Sequence, residues 1–532
     1  MNQTYDHILK QGLIKVNQNE FAKSKKFFEE LINLNSKRYE GYLNLSNILV
    51  LEEKLKEANN LLEYYLTKIE PNSEIVNGLA INLFNSKSYN ELIHHINSYI
   101  EKYDNHLLNY LKGYYLDYKS ETLEAISFLN KSIILNNNFW PAYESLFYIY
   151  DRKNKLSDAE KLIEKSKQIF SKNYKFKYFE ALFNFKLSKL SIVSEIIKSN
   201  ELYEYFNKKE NQTYLADYYN LCSKYYEKKL QYNKCIDYAV KRNKVYIGLE
   251  NNKSFKKEVL LETIDSYNKF FDKKNKQFYQ SKSTGLDHSN LIFLIGFPRS
   301  GTTLLDSILR SHSKTTVIEE QPYLLNIRHD FFKKNNLSKL MNLDEKEKIK
   351  IQEKYFSSFN YKKNKTTIDK FPLNLLELGF IKTIFPNSKI ILAIRHPLDC
   401  ILSCVLTAFK INEAMLNFEN LETTTIFYNK TFKLLNKYID FFNITYHQVK
   451  YEDVVSDFNT QINKILKYIN LQFEESLNNF YKTAQKREKI NTPSYDQVIK
   501  PLYSNSINRH LNFEDVKKIY PEVEKWIKFY SY

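Results

Sequence analysis

The run Phe297-Pro-Arg-Ser-Gly-Thr-Thr303 sets one cation, three hydroxyls and a glycine side by side. Five apolar residues, Leu291 to Ile295, precede it and read as a short strand buried on both faces. Gly296 and Gly301 bracket a tight loop, and Thr302 opens an amphipathic helix carrying Leu304, Leu305, Ile308 and Leu309. Strand, glycine loop and helix start together form an anion cradle. The first N–H groups of a helix have no internal partner, and the helix dipole adds positive potential at the same place. The spacing Gly296-x4-Gly301 is that of a nucleoside triphosphate loop, but Thr302 stands where a lysine would reach the β- and γ-phosphates. Arg299 supplies charge from inside the loop instead. The expected ligand is a nucleotide with one 5′-phosphate and an attached group, not magnesium-bound ATP.

Further chemistry-bearing residues follow predicted strands. Glu319 and Glu320 come after Val317-Ile318 and before Pro322, which keeps Gln321 out of a helix. Lys370 follows Thr366 to Asp369, and Arg395 follows Ile391 to Ile394.

The loop Phe297–Thr303 resembles the 5′-phosphosulfate loop of sulfotransferases. More narrowly, it is similar to that of protein-tyrosine sulfotransferases and of bacterial proteins that fuse such a domain to tetratricopeptide repeats. The resemblance covers roughly residues 290–509, plus the repeats before them. It implies sulfuryl transfer from 3′-phosphoadenosine 5′-phosphosulfate to an acceptor hydroxyl, with a protein tyrosine as the leading acceptor and no metal. By resemblance, Arg299, Ser300, Gly301, Thr302 and Thr303 hold the 5′ end of the donor. The implied base is Glu320, 21 residues beyond Arg299, with Glu319 as the neighbouring competitor. A placed base contributes ~10²–10⁴-fold. Lys370 matches the lysine that stabilises charge on the moving group, although Phe371-Pro372 follows it where the tyrosine enzymes have Asp-Pro. Arg395 and Ser403 match the 3′-phosphate site, for which a guanidinium fork is suited. His396, beside that site, is expected to pack or touch phosphate, not to act as a base. Tyr451 matches a tyrosine near the nucleotide. Ser494, in the stretch Ser494 to Pro501, would assist the leaving phosphate. Arg509 would grip the 3′-phosphate, with Lys500 as a weaker alternative. Gln321-Pro322 replace the arginine that helps the family hold acidic acceptors. Two other readings stay open: an acceptor that is a carbohydrate, lipid or small alcohol, and a non-catalytic scaffold keeping a relic nucleotide site.

The elements ahead of this site repeat. The blocks Phe21–Ser24, Leu55–Ala58, Tyr89–Leu92, Thr122–Ala125, Leu156–Ala159 and Leu190–Val193 end 34, 34, 33, 34 and 34 positions apart. A seventh, Tyr232–Cys235, follows after 42. A period of ~34 is that of tetratricopeptide helix pairs, which must stack to bury their faces. The array would dock an acceptor protein or peptide in its groove, or serve as a scaffold or a self-association surface that makes a homodimer.

The expected fold is therefore a superhelical α array over 1–245, a capping helix and linker over 246–290, and an α/β P-loop-like domain with a central parallel sheet over 291–532. Arg328 to Lys365 reads as a charged insertion or lid. The chain has 532 residues and a formal charge of +17. That charge fits anionic partners, but also a lysine-rich, AT-biased composition. No Arg-rich, aromatic-interleaved run points to nucleic acid. Cys222, Cys235, Cys400 and Cys404 show no CxxC spacing, which argues against a metal site or a disulfide framework. No basic-then-apolar leader opens the chain, and no apolar run nears the ~20 residues that span a bilayer. The expectation is a cytoplasmic protein.

Overall fold

The 34-residue period becomes helical hairpins. The structure, a computed structural model, describes residues 2–276, 288–331, 337–485, 499–502 and 506–532. It divides into two compact units, Met1–Ile192 and Val193–Tyr532.

The first unit is the tetratricopeptide-type array. Its helices run in pairs, such as Tyr39–Leu51 with Leu55–Lys68 and His106–Tyr118 with Thr122–Leu135. The block-final residues Ser24, Ala58, Leu92, Ala125 and Ala159 are all fully buried, where neighbouring helices meet. Asn72, Asn105 and Asn173 each cap the helix that follows, their side-chain oxygens accepting two main-chain N–H groups. The turns inside the pairs carry a second periodic signal. Asn19, Glu53, Lys87, Ser120, Asn154 and Ser188 all have positive φ, and none is glycine. At each, the chain stops in the left-handed conformation. In the first pair, Asn19 N–H donates to Val16 and Glu20 N–H to Lys15, so two orphan carbonyls are satisfied.

The second unit opens with helices Asn200–Asn207, Gln212–Lys228, Tyr232–Gly248 and Lys257–Phe270. It continues with five parallel strands: β1 (Leu291–Gly296), β2 (Thr315–Glu319), β3 (Thr366–Lys370), β4 (Lys389–Ile394) and β5 (His447–Lys450). Their order is β2-β3-β1-β4-β5. In register, Leu294 lies opposite Lys370 on one side and Ile391 on the other. Strand alternation divides the apolar side chains between two cores. Leu291, Phe293 and Ile295 join Ile390, Leu392 and Ile394 on one face, and Ile292 and Leu294 join Ile308, Ile368 and Ile391 on the other.

The hairpin Gln212–Lys228 and Tyr232–Gly248, which the repeat period groups with the array, packs within this second unit. Arg242 is fully buried and donates to the main-chain carbonyls of Val405, Leu406 and Thr407. Asn243 donates to Val405, Phe418 and Glu419. These bonds close the last turn of helix Pro397–Leu406, whose carbonyls would otherwise be orphaned. Burial pushes the Arg242 guanidinium down to about 10.

The expected lid is instead part of the core. In helix Glu345–Ser357, Tyr355 is fully buried, and its hydroxyl donates to Asp369 Oδ2 at 2.7 Å. Helix charge on the outer face hid this inner face from a reading of composition. Among the described residues, no helix is long and apolar enough to cross a membrane.

Candidate active site

Every strand of the sheet ends in a residue singled out above. The loop 297–301 follows β1, Glu320 follows β2, Lys370 closes β3, Arg395 follows β4 and Tyr451 follows β5. Parallel sheets bind ligands at this edge, where the strand order switches sides. A cleft of about 720 Å³ opens there, lined by Arg299, Thr303, Glu320, Arg395, Tyr451 and Arg509 among others.

The loop is held from behind. Phe297 is buried against Phe418, Phe427 and Tyr428 at ring separations of 5.8, 5.4 and 4.9 Å. The Pro298 carbonyl accepts from the thiols of Cys400 and Cys404, one helical turn apart, at 3.2 and 3.3 Å. Those two cysteines are packing residues with a second task. Gly296 lies so near Ala393 that a Cβ would meet its carbonyl oxygen at 2.5 Å. Gly301 has φ +96°, and a Cβ there would come within 2.8 Å of the Tyr451 ring. The chain therefore turns into helix Thr302–Arg310 through a position that only glycine fills without strain. Among the described residues, the buried Ser300 Oγ has no hydrogen-bond partner. Thr302 and Thr303 stand in the first helical turn and line the cleft.

Arg299, itself left-handed at φ +71°, donates from Nε to Ser403 Oγ at 3.1 Å. Arg395 donates from one terminal nitrogen to the Arg299 carbonyl at 3.3 Å and from the other to the Ser506 carbonyl. Its guanidinium lies 5.2 Å from the centre of the Tyr451 ring. Among the described residues, the buried Arg395 Nε has no hydrogen-bond partner. Arg299 and Arg395 thus belong to one continuous site. Ser403 bonds to Arg299, not to Arg395.

On the other side of β1, Lys370 has no exposed side-chain surface. Its Nζ donates to Glu320 Oε1 at 2.6 Å. Glu320 sits at φ +46°, and its N–H donates to the Lys370 carbonyl at 2.8 Å, extending the β2–β3 ladder by one bond. Glu320 lines the cleft. Burial raises the Glu320 pKa above its ordinary value more than the Lys370 ion pair lowers it, and Glu319 and Asp306 add to the rise. Glu320 is thus a carboxylate made more basic, in contact with a buried cation.

Residues 291–475 match the sulfotransferase family. This part of the chain is a sulfotransferase-family domain. An uncharacterized protein of Aquifex aeolicus (strain VF5) is 24% identical over 313 residues, 56% of this chain and 39% of that protein. The chain thus spans under two-fifths of the length of that relative. Among solved structures, a tetratricopeptide repeat protein from Parabacteroides merdae ATCC 43184 aligns over 47% of this chain and 97% of its own, with 14% identity and a TM-score of 0.35. The sulfotransferase domain of the Synechococcus PCC 7002 olefin synthase aligns over 46% of this chain and 98% of its own, with 18% identity and a TM-score of 0.29.

Several residues of the sulfotransferase domain escaped the motif reading. Lys410 lines the cleft beside Phe409 and Asn412, in a loop with no local signature. Asp306, fully buried, lies 3.6 Å from Lys370 Nζ. Its one sequence signal is the i,i+4 spacing to Arg310, which donates to it from Nε at 2.8 Å. Asp399 accepts from both the main-chain N–H and the ring of His510, at 2.7 and 2.9 Å, which fixes the segment carrying Arg509. Burial opposes its charge, but the His510 bonds and Arg395 hold the Asp399 pKa below its ordinary value. His396 stacks on His510 at 4.2 Å, and burial followed by His510 pushes it down to about 4. His396 is therefore a neutral packing ring at neutral pH. Arg509 lines the cleft and also pairs with Glu227 of helix Gln212–Lys228. Ser494 lies outside the described residues.

Proposed function

We propose that the domain moves a sulfuryl group from 3′-phosphoadenosine 5′-phosphosulfate to an acceptor hydroxyl, with a protein tyrosine as the leading acceptor. The reading is carried by one observation: a basic loop, a second buried arginine and a Glu320–Lys370 pair all meet at one strand edge. Among the described residues the buried Arg395 Nε lacks a hydrogen-bond partner, which supports an anionic ligand in the cleft that Arg395 lines. The donor supplies an electrophilic sulfur bonded to a phosphate oxygen. In this reading Arg299 and residues 300–303 hold its 5′ end, and Arg395, Ser403, Tyr451 and Arg509 hold the 3′-phosphate end. Glu320 takes the proton of the acceptor hydroxyl as its oxygen bonds to sulfur. Lys370 faces the charge that moves towards the leaving phosphate, a role typically worth ~10²–10³ in rate. Ser494 would assist the same oxygen.

The array has a proposed part as well. Ile81, Tyr114 and Tyr148 occupy one place in three consecutive repeats, and each is more than a third exposed. Such a row supports docking of an acceptor protein or peptide. A second reading has its own support. Phe371, Pro372 and Leu373 give the cleft an apolar wall beside Lys370, which suits a small alcohol or lipid acceptor. Incubating the full chain with ³⁵S-labelled donor and cell lysate separates the two, since label enters either protein or small molecules. No label in either fraction, with donor intact, refutes the transfer reading.

A further inference from the structure

We infer that Asp306 is the resident counterion of Lys370, a positioning residue that keeps the ammonium at the end of β3 when Glu320 gives up their ion pair. This rests on the sulfuryl-transfer reading.

Three carboxylates surround Lys370 Nζ: Glu320 at 2.6 Å, Asp306 at 3.6 Å and Glu319 at 3.8 Å. In the proposed reaction Glu320 receives a proton and becomes neutral. A buried ammonium left without a charged partner is strongly destabilised. Asp306 is built to remain. Its side chain has no exposed surface, and its Oδ1 accepts from Arg310 Nε and lies 2.8 Å from the Arg310 terminal nitrogen. Arg310 is itself anchored, donating to the Val317 carbonyl of β2 at 2.9 Å. The other oxygen, Oδ2, is buried, has no hydrogen-bond partner among the described residues and is the one nearest Lys370. It stands where a short shift of Nζ completes a bond.

Charge balance points the same way. Two cations, Lys370 and Arg310, face three carboxylates, Asp306, Glu319 and Glu320. Counted over these described residues, the cluster carries one excess negative charge with Glu320 ionised and none once Glu320 holds a proton. Asp306 thereby makes Glu320 the better base, in keeping with its upward-shifted pKa. It also ties the pair to helix Thr302–Arg310, whose first turn lines the cleft.

The test uses the full chain carrying Asp306→Asn, Asp306→Glu or Arg310→Gln. Carbodiimide couples only to protonated carboxyls, so labelling of Glu320 against pH, mapped by peptide mass spectrometry, reads its titration without donor or acceptor. Asp306→Asn is expected to move the midpoint down by about one pH unit and to lower kcat about tenfold or more with little change in donor KM. Asp306→Glu keeps the charge and is expected to restore both. Arg310→Gln removes a cation and is expected to move the midpoint up, which serves if the Asn variant fails to fold. A midpoint unmoved in the folded variants overturns the assignment, even if wild type transfers sulfate. A shifted midpoint in a chain without transfer activity upholds the counterion and refutes the reaction instead.

Discussion

Glu320→Gln separates catalysis from structure most cleanly. Glutamine keeps an oxygen for the Lys370 hydrogen bond, now 2.6 Å long, but cannot accept a proton from the acceptor. Removing a placed base costs ~10²–10⁴-fold in turnover, about 2.7–5.4 kcal/mol of barrier. The fold pays far less. Breaking a buried ion pair by removing one partner costs about 3–5 kcal/mol when the survivor is left alone. Here Asp306 and Glu319 remain 3.6 and 3.8 Å from Nζ, and Glu320 is 26% exposed, so the loss falls below that range. Wild-type kcat is expected to decline as pH falls through a value above the ordinary glutamate pKa of 4.5, because burial raises Glu320 and only its ionised form is a base. Stability runs the other way. The folded chain holds this proton more tightly than the unfolded one. That contribution is present below 4.5 and is lost as pH rises through the raised value. Glu320→Gln removes this slope from a plot of melting temperature against pH. Radiolabel transfer gives kcat, and calorimetry gives affinity for 3′-phosphoadenosine 5′-phosphate, which is expected to be unchanged. Turnover within tenfold of wild type, or an acid limb at or below 4.5, refutes the reasoning.

Gly301→Ala places a Cβ 2.8 Å from Tyr451 at φ +96°, and is expected to weaken binding of the same nucleotide by about tenfold or more, read by calorimetry. Arg395→Gln is expected to raise donor KM more than it lowers kcat, and Lys370→Met the reverse, so steady-state kinetics that show no such split count against the assigned roles. Arg242→Met removes its bonds to the carbonyls of Leu406 and Thr407 and leaves Val405 only its bond from Asn243, and urea unfolding is expected to show a loss of about 3 kcal/mol. Leu230→Gly relieves a left-handed leucine at φ +57° that is 70% exposed, and is expected to gain about 1 kcal/mol in the same assay.

Period and strand ends were the legible features. Block-final positions such as Ala58 and Ala159 recur because helices must approach closely there, and their burial follows from the spacing. The loop and Arg395 were legible because β1 and β4 are short apolar runs with a polar stop, whereas Glu320, Lys370 and Tyr451 were singled out through the family resemblance. The turns were not, because their left-handed positions hold Asn, Glu, Lys and Ser, and composition flags such turns by glycine. Tyr355 was missed because a helix rich in Lys and Glu looks solvated until its partner, Asp369, is known. Arg242 looks like any surface arginine in sequence, since the three main-chain carbonyls it closes lie more than 160 residues away. Asp306 was hidden by the motif it follows.

The strand order explains why the site divides as it does. With β1 central, Glu320 and the buried Lys370 arrive from β2 and β3 on one side, and Arg395 and Tyr451 arrive from β4 and β5 on the other. Neighbouring strands lie about 4.8 Å apart, so the ends of β2 and β4 are separated by about 14 Å across the edge. In the proposed function, one nucleotide donor would be held from β4 and β5 and presented to β2 and β3. The same spacing keeps the excess carboxylates around Lys370 away from the arginines, so one side can favour proton capture while the other favours anions. Helix Pro397–Leu406 joins the halves: its cysteines hold the loop, its Ser403 accepts from Arg299, and its last carbonyls are closed by Arg242. The hairpin that carries Arg242 therefore acts on the ligand edge through a chain of named hydrogen bonds, although it contributes no atom to the base or the loop.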